Sequence, residues 1–176
     1  EIVRLLIERR ANIHAHEADG MQPLHLACRV GREEVARILV EAGADLNSCS
    51  TGGSTPLDLA CEHGHENVAR ILIDAGVDVN SCLAHGLTLL HFAVQRGNIN
   101  FVRFLLERHA DVDTRSSTDR KPLHTACLRG HREIALLLLE AGADINCSSG
   151  GRTPLHYAVD EGNAELVRFL IGRNAD

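Results

Sequence analysis

Four histidines (His25, His91, His124 and His156) and three cysteines (Cys28, Cys61 and Cys127) recur along this 176-residue chain at steps of 33 residues or twice that, with His156 one residue early. Imidazole and thiol could together support metal ligation or nucleophilic catalysis. A structural zinc site needs four nitrogen or sulfur ligands in a tetrahedron. Side chains one repeat apart sit on neighbouring helices, roughly 8–10 Å apart, too far to converge on one ion. Cys61-Glu62-His63-Gly64-His65 has suitable atom types, but its cysteine shares a helical position with Cys28 and Cys127 and is expected to face a core. A nucleophile needs a base, an orienting group and a pocket, whereas these cysteines and histidines follow the repeat. Ser149-Gly150-Gly151-Arg152 lacks the spacing and lysine of a phosphate loop. No catalytic residue, metal ligand or cofactor is expected, and the recurring histidines suit hydrogen bonding within each unit.

The elements that carry these residues repeat as well. Pro23, Pro56 and Pro122 hold one place, which Leu89 takes in another unit and Pro154 reaches one residue early; Gly31, Gly64, Gly97 and Gly130 recur likewise, with Gly162 one early. Thr55 to Asn80 shows the plan. Thr55 caps a helix and Pro56 fills its first position, where a missing N–H costs nothing. Leu57, Leu59 and Ala60 face the core, and Gly64 permits a tight reversal. A second helix starts near Glu66 and buries Val68, Ile71 and Leu72. Gly43, Gly76 and Gly142 then release the chain in left-handed conformation. Residues 1–12 match a second helix alone, with Ile2, Leu5, Leu6 and Arg9 as its amphipathic stripe. Full units follow at 13–45, 46–78, 79–111, 112–144 and 145–176. The whole reads as one domain, 1–176, excerpted from a longer protein.

Composition agrees. Hydrophobic residues make up 44% and aromatics 3%, with no Trp, which suits short, closely packed helices stacked on their neighbours. A net charge of -6 argues against a general affinity for nucleic acid or anionic membrane. No apolar run approaches the roughly 18 residues of a membrane span. The six cysteines fall a repeat apart, beyond the roughly 7 Å between Cα atoms that a disulfide allows. Free thiols in a reducing compartment are expected, so Asn146-Cys147-Ser148 matches a glycosylation sequon only by letter.

Gln22-Pro23-Leu24-His25, Thr55-Pro56-Leu57-Asp58, Lys121-Pro122-Leu123-His124 and Thr153-Pro154-Leu155-His156, the turns Gly64-His65 and Gly130-His131, and the exit Ala42-Gly43-Ala44-Asp45 resemble the ankyrin repeat along the whole chain. The resemblance implies an all-α solenoid of helix-turn-helix units with projecting β-hairpin loops, here five full repeats and an N-terminal partial one. It also implies that the T-P-L-H imidazole ties its helix start to the neighbouring turn, and that the domain binds proteins without catalysis. The unit 79–111 departs most. Thr88-Leu89-Leu90-His91 lacks the proline, and His109 stands where glycine is expected. In the following hairpin Asp119 replaces the tip glycine and Lys121 the capping threonine. Phe92, Phe101 and Phe104 all fall in that unit.

In ankyrin proteins partners meet the hairpin tips and the concave face of the first helices. Here that face maps to Arg29-Val30, Glu62-His63, Gln95-Arg96, Leu128-Arg129 and Asp160-Glu161, and the tips to residues such as His85, Arg115 and Arg120. Arg29, Glu62, His63, Gln95, Arg96, Arg115, Arg120, Leu128 and Arg129 are the expected partner-binding residues, with acidic groups of the partner near Arg96, Arg115, Arg120 and Arg129. Leu39, Leu72 and Leu138 each precede an Asp-Φ-Asn asparagine by eight residues, a spacing that resembles the sites of an asparaginyl hydroxylase. Asn47, Asn80 and Asn146 are therefore candidate substrates, although each asparagine could equally serve hairpin backbone groups. The reading is a monomeric scaffold or adaptor for another protein or an extended peptide, in the cytoplasm or the nucleus. The alternatives are the recognition arm of a larger protein (a ubiquitin-ligase substrate receptor, a kinase or a channel) and an engineered scaffold, against which the uneven repeats and six thiols argue.

Overall fold

A computed structural model describes residues 1–83 and 86–176. Its regular elements are helices: α1 (Ile2–Glu8), α2 (Pro23–Val30), α3 (Glu33–Glu41), α4 (Pro56–Glu62), α5 (Glu66–Asp74), α6 (Leu89–Arg96), α7 (Ile99–Glu107), α8 (Pro122–Leu128), α9 (Arg132–Glu140), α10 (Pro154–Asp160) and α11 (Ala164–Ile171). Among the described residues the hairpin turns carry only two isolated antiparallel bridges, Cys82 with Thr88 and Ser149 with Arg152. The helices have at most nine residues, short of the roughly 12–15 at which an isolated helix becomes even marginal in water. Packing must hold them.

The chain forms two compact units, Glu1–Asp78 and Val79–Asp176. In the first, α2 pairs with α3 and α4 with α5, while α2 lies on α4 and α3 on α5. Leu24, Cys28, Ala36, Leu39, Leu57, Ala60, Cys61, Val68 and Leu72 fill the space between. Helix α1 rests chiefly on α3. No residue of α1 is fully buried, and its less exposed face differs from the expected one: Ile2, Leu5 and Leu6 stay 77%, 53% and 51% exposed, while Val3 and Ile7 are half-buried. A helix packed on one side buries only the face it turns to that neighbour.

In the second unit α6 pairs with α7, α8 with α9 and α10 with α11; α6, α8 and α10 stack in order, and α7 lies on α9. Phe101 and Leu105 are fully buried here, and the Phe101 and Phe104 rings stack 6.1 Å apart. The helix start survives the lost proline, with His91 Nδ1 against the Thr88 hydroxyl at 2.8 Å. Thr88 caps α6, its Oγ1 accepting the His91 N–H at 3.4 Å, and Leu89 takes the proline place fully buried.

The turns follow from two demands, left-handed backbone and close approach. Gly31 (φ 73°) and Gly97 (φ 70°) meet both: a Cβ on them would sit 2.4 Å from His65 Nδ1 and 2.9 Å from His131 Cε1. Where glycine is replaced, His109 (φ 62°) and Asp119 (φ 61°) still adopt the left-handed conformation, at about 1 kcal/mol each.

Candidate binding surface

The periodic histidines are struts. Nδ1 of His25, His124 and His156 accepts the N–H of its own helix cap, from Gln22, Lys121 and Thr153 at 3.1, 3.1 and 3.2 Å. An accepting Nδ1 leaves the proton on Nε2. That Nε2–H is donated to the next turn, by His25 to the Ser48 carbonyl (3.0 Å), by His91 to Arg120 (2.8 Å) and by His124 to Cys147 (3.1 Å). The neutral ring thus joins consecutive repeats, as the resemblance implied. Burial holds His91 and His124 below the ordinary histidine pKa, and Lys121 and Arg115 add to the effect at His124. Asp58 stands in the same place and accepts the Thr55 N–H at 2.8 Å instead.

The buried thiols are equally quiet. All six cysteines are free. Burial pushes Cys28, Cys61 and Cys127 up to about 12 and Cys147 up to about 11, so none of these four is a thiolate near neutrality. Cys147 lies 3.7 Å from His124 Nε2, but that nitrogen already donates to a carbonyl. Around Cys61, His63 Nδ1 lies 2.9 Å from the Leu59 carbonyl and His65 Nε2 3.2 Å from that of Arg29. Both rings serve helix ends. Among the described residues no group of three or more His, Cys, Asp or Glu could hold a metal ion.

The residues expected to meet a partner lie on the ends of the first helices and on one turn. In the first unit Arg29 ends α2 half-buried, its Nη1 3.2 Å from Met21 Sδ, while Glu62 and His63 close α4 exposed. In the second unit Gln95, Arg96 and Arg129 are exposed, and Leu128 and Arg120 half-buried. His85 lies outside the described residues. The four arginines are not alike. Arg115 Nη1 donates to Asp119 Oδ1 at 2.7 Å and to the Ser148 carbonyl at 3.2 Å, so it braces its own turn. Arg96 lies 5.0 Å over the Phe92 ring. Arg120 and Arg129 have no carboxylate partner among the described residues, and with Leu87, Gln95, Thr125, Leu128 and Ser116 to Thr118 they line a cleft of about 250 Å³.

Stacked helix pairs, strut histidines and left-handed turn glycines recur in register through both units. A family model described as ankyrin repeats (3 copies) matches residues 1–82 and 90–176. The chain belongs to the ankyrin-repeat family. No curated protein matches it. Ankyrin repeats are in general protein–protein interaction modules, and among the described residues no helix is long and apolar enough to cross a membrane.

Sequence reasoning passed over the residue against which Arg120 of this ankyrin cleft rests. Tyr157, the only tyrosine, is buried with Arg120 and Arg152 against its ring at 5.6 and 4.8 Å. Arg152 is also ion-paired to Asp160. The available signal was the lone tyrosine in the place that Phe92 holds in an earlier repeat. The candidate asparagines differ as well. Asn80 Oδ1 accepts the Asp111 N–H at 2.8 Å, and Asn146 exchanges two hydrogen bonds with Asp176, at 2.9 and 3.0 Å. Asn47 is exposed, and its carboxamide has no partner among the described residues. A second cavity of about 390 Å³, in the first unit, is almost wholly apolar and lies between α1 and the pair α2 and α3.

Proposed function

We propose that this ankyrin-repeat chain is a non-catalytic scaffold or adaptor of the cytoplasm, working as a monomer, that holds another protein or an extended peptide against its first-helix ends and turns. The observation that carries the reading is the division of labour among side chains. Buried positions of each repeat serve the stack: His25, His91 and His124 are committed to carbonyls, and Cys28, Cys61, Cys127 and Cys147 to the core. The ends of α6 and α8 and the 115–120 turn instead offer Gln95, Arg96 and Arg129, which are exposed, with Arg120 and Leu128 half-buried beside them. A mixture of arginine with aliphatic side chains suits a contact surface. Glu62, His63 and Arg29 form the corresponding edge in the first unit.

Affinity capture from cell extract with the wild-type chain and with the variant Arg96→Glu, Arg129→Glu tests it. The reading expects a discrete partner retained by the first and lost by the second; identical captured proteins would overturn it. Asn47, Asn80 and Asn146 are proposed as substrates for an asparaginyl hydroxylase, with Asn47 first because its carboxamide is unengaged. Intact mass and peptide mapping of the protein from its native cell should then show one added oxygen at Asn47; no added oxygen at any of the three would refute it.

A further inference from the structure

We propose that the cleft of the second unit between α6, α8 and the 115–120 turn is a specificity subsite for a glutamate or aspartate side chain of an extended partner segment, read by Arg120 and Arg129. The inference rests on the protein-binding reading above and narrows it. The cleft, about 250 Å³, takes one side chain, and among the described residues no carboxylate lines it. Arg129 is exposed and without an ion pair among the described residues. Arg120 lies with its guanidinium carbon 5.6 Å from the Tyr157 ring centroid, a cation–π contact that holds it at the cleft while its N–H groups have no carboxylate among the described residues. Two forked donors at one small cleft match the two oxygens of a carboxylate. Leu87 and Leu128 give the flanking residues of the segment an apolar rest, and Gln95 and Thr125 offer hydrogen bonds beside it.

The other two arginines do different work. Arg115 is spent on Asp119 and Ser148 and is a positioning residue that fixes the turn carrying Arg120. Arg96 lies on Phe92, outside the cleft. A chain of net charge -6 repels acidic polymers at long range. Recognition of acid is therefore confined to this local pocket and depends on one well-placed side chain.

The test is a titration of the whole chain, at low salt, with a short fluorescein-labelled peptide of alternating glutamate and valine and with its glutamine counterpart. The glutamate peptide should bind, and the glutamine peptide should bind about tenfold more weakly or worse, the factor expected for a lost charge-assisted hydrogen bond. Arg129→Gln and Arg120→Gln should each weaken the glutamate peptide by about tenfold. Arg129 is exposed and makes no ion pair among the described residues, so its variant answers the objection that the protein unfolds. Equal binding of the two peptides, or a glutamate affinity unmoved by Arg129→Gln, would overturn the subsite. If captured partners are still lost from the Arg96→Glu, Arg129→Glu variant, the protein-binding reading survives that failure; if they are retained, both fall.

Discussion

Lys121 Nζ lies 3.0 Å from Asp113 Oδ1. Both residues break the repeat, lysine where Thr55, Thr88 and Thr153 stand and aspartate where Asn47, Asn80 and Asn146 stand. The Asp113 oxygen is buried and has no hydrogen bond, so the ammonium is what offsets its charge. Lys121→Thr alone should destabilise the chain by about 1 kcal/mol, the scale of a partly screened pair with one desolvated atom. Adding Asp113→Asn should recover most of that loss. Chemical denaturation of the two singles and the double measures the coupling, and additive effects would show that the two departures are independent.

Gly31 is pressed by the His65 ring. Gly31→Ala should cost about 2 kcal/mol, from a left-handed alanine and the clash together. In a His65→Ala background the clash disappears, and the same substitution should cost only the backbone part. An equal cost in both backgrounds would remove the steric account.

Acid should weaken the second unit. Burial holds His91 and His124 below the ordinary value of 6.5, so the unfolded chain takes up protons that the folded one refuses. Stability is then full above about pH 6.5 and falls as the pH drops toward the lowered folded values. Denaturation at neutral and mildly acidic pH should show the loss, and His91→Gln should flatten it by one proton's worth. A stability independent of pH over that range would contradict the neutral-strut assignment.

Thiol labelling should divide the cysteines. Cys49 and Cys82 are exposed and should react at once in the native chain, whereas Cys28, Cys61, Cys127 and Cys147 are buried and should wait for unfolding. Fast reaction of all six would mean that the core opens readily.

Much of this fold is legible because local rules coincide with global ones. Thr55-Pro56, Gly64 and Gly76 each state an element boundary, and repetition at 33 residues tells which faces meet. The T-P-L-H histidines could be read as struts because their spacing forbids convergence. Illegible were the contacts chosen by side-chain rotamer. Arg115, counted among the partner-binding residues by its charge, reaches Asp119 and the Ser148 carbonyl a whole repeat away. Lys121 finds Asp113, and Tyr157 gathers Arg120 and Arg152, with no periodic signal to announce either. The stripe on α1 shifted because only α3 presses on it firmly. Spacing locates residues on faces, and the partner a long side chain then selects is decided by packing.

Hydrogen exchange of the chain, alone and saturated with its captured partner, tests the central claim most directly. The account predicts new protection at the C-terminal turns of α6 and α8 and in the turn from Arg115 to Arg120, and little change along α7 and α9. Protection confined to α7 and α9, with Gln95, Leu128 and Arg129 exchanging as before, would contradict it.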